Sequence, residues 1–280
     1  MRKNKILLLI FVLFIVSCNF PIFMNTISPD QVSTQVAISQ TATWVSQAQI
    51  PPSPLPSLTL PVTPAETLEP HSSLTPEPSI TVAEIDFSSQ LGSPSYSNPM
   101  NSGSAFGLDA AGYDDGFTRI VMSDGNMVLT SYPTTGWRGW RLTDKNLSNF
   151  YLEGTVITQT CAGKDQYGLV FRAPDYSNGE GYFFGVTCDG KYSLLLSDGN
   201  RYRTLIDWTS SEKIVSGSNQ TNRLGVLAEG SSIDLYINGE KVNHTDDSNY
   251  LTATKIGAFI LALNTPGFTV KLDQLNLWTR

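Results

Sequence analysis

From Tyr151 onward the sequence is cut into short runs by Asp189-Gly190, Asp198-Gly199-Asn200, Glu229-Gly230 and Asn238-Gly239. Such pairs supply the positive φ of tight hairpins, so they join neighbouring antiparallel strands in series and no parallel crossover helix is required. In Ser232–Gly239, Ile233, Leu235 and Ile237 share one parity while Asp234 and Tyr236 take the other, the pattern of a strand with one buried face. Ile256–Leu263 is apolar on both parities, as a strand inside a sandwich should be. In the last run Phe268, Val270 and Leu272 change phase to Leu275 and Leu277, which predicts a bulge near Asp273-Gln274. Nine or more strands at this spacing predict an all-β domain, a two-sheet antiparallel β-sandwich or jelly roll, over residues 84–280.

All 22 glycines lie from Gly92 onward, whereas nine of the 16 prolines fall between Pro51 and Pro78. The N-terminal third is therefore a different kind of object from the rest. Arg2, Lys3 and Lys5 precede an apolar run from Ile6 to Val16, which is short for a bilayer span and has the layout of a signal peptide over residues 1–17. The run ends in Ile15-Val16-Ser17-Cys18, which resembles the lipobox of bacterial lipoproteins. That resemblance implies diacylglycerol on the Cys18 thiol, cleavage before it and acylation of the new amine. The expected location is then a cell membrane or outer membrane, with the domain extracytoplasmic. An uncleaved anchor helix, or an ordinary signal peptide with a chance cysteine, are the alternatives. Residues 18–83 read as a disordered Pro/Ser/Thr-rich tether. A short helix over 29–49 starts at the capping sequence Ser28-Pro29-Asp30-Gln31, and an extended Pro-rich stretch covers 51–78.

Charge narrows the partners. Between residues 84 and 280 there are 15 Lys and Arg against 21 Asp and Glu, a balance that argues against nucleic acid.

Cys161-Ala-Gly-Lys-Asp-Gln-Tyr-Gly-Leu-Val-Phe-Arg-Ala-Pro174, Gly181-Tyr-Phe-Phe-Gly-Val-Thr-Cys-Asp-Gly-Lys-Tyr-Ser-Leu194, Asn222-Arg-Leu-Gly-Val226 and Leu235-Tyr-Ile-Asn-Gly239 resemble the concanavalin A-like lectin/glucanase superfamily. The nearest branch looks like the laminin G-like and 3-keto-disaccharide hydrolase-like domains. The resemblance implies a jelly roll with one concave sheet where sugars commonly bind. Glucanases of this superfamily carry a Glu-x-Asp-x-x-Glu strand; Glu84-Ile85-Asp86-Phe87 begins such a string, but Ser88 and Ser89 follow and the third acid is missing.

Cys161 and Cys188 each end an expected strand, so an exported domain would pair them as a disulfide across neighbouring strands; two buried free thiols are the alternative. No zinc-like spacing occurs, and no cofactor is expected. Calcium is held by several relatives, and Asp144, Asn146, Asp246 and Asp247 offer it oxygen atoms.

Sugar recognition needs aromatic rings to stack on pyranose faces beside hydrogen-bonding side chains. Gly136-Trp137-Arg138-Gly139-Trp140-Arg141 has that composition, and Trp137, Trp140 and Arg141 are its candidates. Arg172 lies opposite in parity to Tyr167, Leu169 and Phe171 and is expected to face the concave side; Tyr202 and Trp208 complete the set. The expected function is a cell-surface lipoprotein whose domain binds a glycan or polysaccharide without catalysis. A glycoside hydrolase and a protein-protein scaffold are the alternatives.

Overall fold

A computed structural model describes residues 86–280. The signal peptide, Cys18, the tether with its helix at 29–49 and the Pro-rich stretch lie outside the described residues. The described chain forms fifteen strands and two short 3-10 turns, Phe87–Gln90 and Ser104–Phe106. The strands are β1 (Tyr96–Asn98), β2 (Tyr113–Asp114), β3 (Thr118–Ser123), β4 (Asn126–Ser131), β5 (Arg138–Asp144), β6 (Phe150–Thr158), β7 (Gln166–Ala173) and β8 (Glu180–Thr187). They continue with β9 (Lys191–Asp198), β10 (Tyr202–Ser210), β11 (Thr221–Glu229), β12 (Ser232–Ile237), β13 (Glu240–Asp246), β14 (Lys255–Leu261) and β15 (Phe268–Thr279).

Two antiparallel sheets result. The first runs β13-β12-β11-β6-β15-β4-β3-β2 with β1 added beside β15, and the second runs β10-β9-β8-β7-β14-β5. One parity of each inner strand fills the space between them: Leu152 and Val156 of β6, Leu224 and Val226 of β11, Leu169 and Phe171 of β7, Phe184 and Val186 of β8. Burial of these side chains is the main force holding the sheets face to face, at about 25 cal/mol per Å² removed from water.

Local chemistry explains the details. Asn238 and Gly239 both have positive φ, 52° and 90°, so the β12–β13 hairpin closes on the two residues best suited to it. The bulge expected in β15 lies where expected: Leu272 pairs with Val156 and Gln274 with Thr155, which leaves Asp273 as the extra residue. Leu275 and Leu277 thereby return to the core side. β13 carried no apolar signal in the sequence, since only one flank of this edge strand is hydrogen-bonded and its side chains are half exposed or exposed.

The outer face of the first sheet is covered by the segment that enters the domain. Phe87 stacks on Tyr236 at 4.5 Å and meets Tyr151 edge-on at 4.9 Å. Asp86 caps the first turn through Ser88 and pairs with Arg223. The carboxyl of the neighbouring Glu153 is pushed above the usual range by burial, against the pull of Arg223 and of the Tyr151 hydroxyl that donates to it at 3.1 Å. The acids around Phe87 thus serve a packed, ion-paired lid on this sheet.

Candidate functional site

Cross-strand partners share a face, so the register defines what the outer face of the second sheet displays. One row is Arg138, Leu261, Gln166 and Thr187, and the next is Trp140, Phe259, Gly168, Gly185 and Ser193. A third is Leu142, Gly257, Val170, Phe183, Leu195 and Thr204. Glycine matters at Gly185, where a Cβ would stand 3.1 Å from the Phe259 ring and 3.6 Å from Trp208. Its absence lets the Phe259 ring lie down across the strands beside the indole.

Arg138 is the centre of the face. Its guanidinium carbon lies 4.4 Å from the Tyr202 ring centre, 5.1 Å from Phe259 and 5.3 Å from Phe183. These are cation–π distances to three rings. Arg138 and Tyr202 belong to the two edge strands, with four strands between them. In a flat sheet at about 4.8 Å per strand those edges would be about 24 Å apart, more than the two side chains can bridge, so the sheet curls and the face is concave. One Arg138 Nη donates to Gln166 Oε1 at 3.2 Å, while its buried Nε has no partner. Among the described residues no carboxylate pairs with Arg138.

Beside this guanidinium opens a cleft of about 250 Å³ lined by Lys164, Gln166, Thr187, Asp189, Lys191, Trp208 and Leu263. Trp208 is 40 % exposed and supplies an open ring. The Thr187 hydroxyl donates to the Asp189 carboxylate, which fixes the turn after β8. Asp165, fully buried, accepts from the backbone N–H groups of Leu263, Asn264 and Thr265 and so shapes the opposite rim.

A Cys161–Cys188 disulfide, with Cα atoms 5.5 Å apart, joins the two loops that carry Lys164 and Asp189. Cys161 follows β6 of the first sheet and Cys188 follows β8 of the second. The expected pairing thus forms, and the bridge staples the two sheets together at one end.

The concave face gathers Trp140, Tyr202 and Trp208 from the sequence candidates and leaves out the other three. Trp137 precedes β5 and packs against Phe117 at 5.1 Å, both rings about half exposed at the end of the sandwich. Arg141 shares its row with Ala258, a core residue, and donates to the carbonyls of Phe106 and Gly107 at 2.7 Å each. Arg172 does not face the concave side. Its φ of 47° belongs to a bulge between β7 and β14 that turns the side chain inward. There it is fully buried and donates to Ser148 O, Gly230 O and Asn149 Oδ1.

Arg138 was the residue the sequence candidates missed. The signal was present, since Arg138, Trp140 and Leu142 share one parity around Gly139. Lys164 and Lys191 carried no such signal, because they sit beside turns whose approach depends on the disulfide.

Two of the carboxylates considered for calcium, Asp144 and Asp247, are engaged within the protein. Asp144 accepts from Asn146 N and the Thr254 hydroxyl, and Asp247 from the Tyr182 hydroxyl, Asn249 and Arg203. Among the described residues, no three His, Cys, Asp or Glu side chains are grouped to hold a metal ion. Burial alone would raise the Asp247 carboxyl, but the bonds from Tyr182, Asn249 and Arg203 outweigh it and hold the group at about 2. A folded-state value below the unfolded one stabilises the protein above pH ~4, and the contribution of about 2 kcal/mol is lost as the pH falls towards 2. Denaturant titrations of the parent and Asp247→Asn are expected to differ most near neutral pH and to converge in acid. An equal gap at every pH would contradict this.

Two facing antiparallel sheets of this kind make a β-sandwich of the jelly-roll type. Residues 158–280 match the family model described as the concanavalin A-like lectin/glucanases superfamily. No curated protein matches the sequence.

Among solved structures, the β-glucanase of Bacillus licheniformis is similar at 12% identity and a TM-score of 0.47, over 68% of this chain and 99% of that one. The carbohydrate binding module CBM66 of Bacillus subtilis is similar at 16% identity and a TM-score of 0.38, over 60% and 92%. The GH43 protein BlXynB from Bacillus licheniformis is similar at 12% identity and a TM-score of 0.45, over 60% of this chain. The chain spans 35% of the length of that GH43 protein.

Proposed function

We propose that the concave face binds carbohydrate and does not cleave it. The observation that carries this reading is the cleft itself: an open indole, Trp208, stands beside fixed polar groups on Gln166, Thr187 and Asp189, with Arg138 bonded to Gln166. A ring to stack on C–H groups and flanking groups to take up hydroxyls are what a pyranose requires. Glycoside hydrolysis commonly needs two carboxyl groups about 5 to 9.5 Å apart across the sugar. Asp189 is the one carboxylate lining the cleft, and an adjoining hollow that adds Glu212 has no aromatic wall to seat a sugar between them.

A glycan array probed with the full chain is expected to show binding that falls about fivefold or more in Trp208→Ala, since one stacked aromatic face contributes about 1 kcal/mol or more. Failure to bind any glycan, or equal binding by the variant, would overturn the reading.

We further propose, from the sequence alone, that this face is displayed from a membrane by lipid on Cys18 and carried on the tether of residues 18–83. Labelled fatty acid should enter the protein and should be lost in Cys18→Ala. Persistent label in the variant would refute the anchor.

A further inference from the structure

We infer that the saccharide this cleft takes is acidic, a uronate or a sulfated sugar; this rests on the carbohydrate reading above and narrows it. Residues 86–280 carry 15 Lys and Arg against 20 Asp and Glu, so the domain as a whole is anionic. Six of these fifteen basic side chains, Arg203, Lys213, Arg223, Lys241, Lys255 and Arg280, pair with a carboxylate. Lys164 and Lys191, which line the cleft, have no carboxylate partner among the described residues, and neither does Arg138 at its side. Against its two lysines the cleft sets one acid, Asp189, already tied to the Thr187 hydroxyl.

The Arg138 guanidinium is held in place by three aromatic rings and by Gln166 Oε1, so its charge is presented at a fixed position and not on a free arm. A planar guanidinium held in this way suits a carboxylate or sulfate, whose oxygen atoms accept charge-assisted hydrogen bonds about twice as strong as neutral ones. The lysines add point charges from the two loops joined by the disulfide, and Trp208 offers the apolar face on which the sugar ring would rest. A neutral sugar would leave the two lysine charges unmatched around its hydroxyls. An acidic one supplies their counter-charge, and the surrounding negative charge of the domain discourages anions from settling elsewhere.

The test compares matched saccharides on the full chain by calorimetry: oligogalacturonate against its methyl-esterified form, and a sulfated galactan against the same polymer desulfated. At least one acidic member is expected to bind about tenfold or more tightly than its neutral match, with affinity falling as salt rises. In Lys164→Gln/Lys191→Gln that preference and the salt dependence should shrink together while the melting temperature stays within a few degrees of the parent. Neutral saccharides binding as well as acidic ones, or an unchanged preference in the double variant, would overturn this inference and leave carbohydrate binding standing. Absence of binding to every saccharide, acidic or neutral, would remove both.

Discussion

Arg172→Ala is expected to lower stability by about 3 to 5 kcal/mol, the largest effect of any single change considered for this fold. The guanidinium is fully buried and reaches from β7 of the second sheet to Ser148 O and Asn149 Oδ1 before β6 and to Gly230 O in the β11–β12 turn, all on the first sheet. Each bond from a charged donor is worth about 1.5 to 3 kcal/mol, and removal also leaves a cavity where the side chain lay. A second variant separates this loss from backbone strain. The φ of 47° costs a side-chain-bearing residue about 1 kcal/mol that glycine does not pay. Arg172→Gly should therefore be destabilised slightly less than Arg172→Ala in urea titrations. A change below about 1 kcal/mol in both would show that the bonds across the sheets are replaced by water at no cost.

Removing the disulfide should have an effect of similar size. Cys161 and Cys188 are 27 residues apart, and closing a loop of that length restricts the unfolded chain by about 3 to 4 kcal/mol. The double variant Cys161→Ser/Cys188→Ser is expected to lose that amount and to match the parent protein measured in reductant. The single reading that would contradict this is a reduced parent as stable as the oxidised one. Binding should respond as well, because the bridge holds together the loops bearing Lys164 and Asp189. Arg172 and the disulfide sit at opposite ends of β6 and β7, so the two sheets are clamped at both ends and each clamp acts on its own half of the interface. Losses from the two should add closely, since the sites share no partner.

Much of the sandwich was legible in the sequence because hairpin turns and strand parity are local. Asn238-Gly239, the alternation of β12 and the phase change in β15 each report on a few neighbouring residues, and the structure agrees at all three. Parity fails where the ladder is irregular. Arg172 was assigned to the wrong side because one bulged residue in the left-handed region reverses the count, and only the β7–β14 register reveals it. Two similar shifts in β10, between Thr204 and Ile206 and between Ile206 and Thr209, govern where Trp208 points. The cleft was less legible still. Its lining joins side chains from four strands of the second sheet to the loops that carry Lys164, Asp189 and Leu263, and their meeting depends on the curl of that sheet and on a bridge between sheets.

The strand β15 lies inside the first sheet, hydrogen-bonded to β6 on one side and to β4 and β1 on the other. Its partners are separated from it by more than a hundred residues of chain, and none of them can complete its ladder until Phe268–Thr279 has been synthesised. Closure of the sheet is thus postponed until this strand emerges from the ribosome, with the cost in loop entropy and the slow kinetics that distant pairings impose. Until that moment β4 and β6 present unpaired edges, and a nascent chain arrested short of β15 would be a template for association with its own kind.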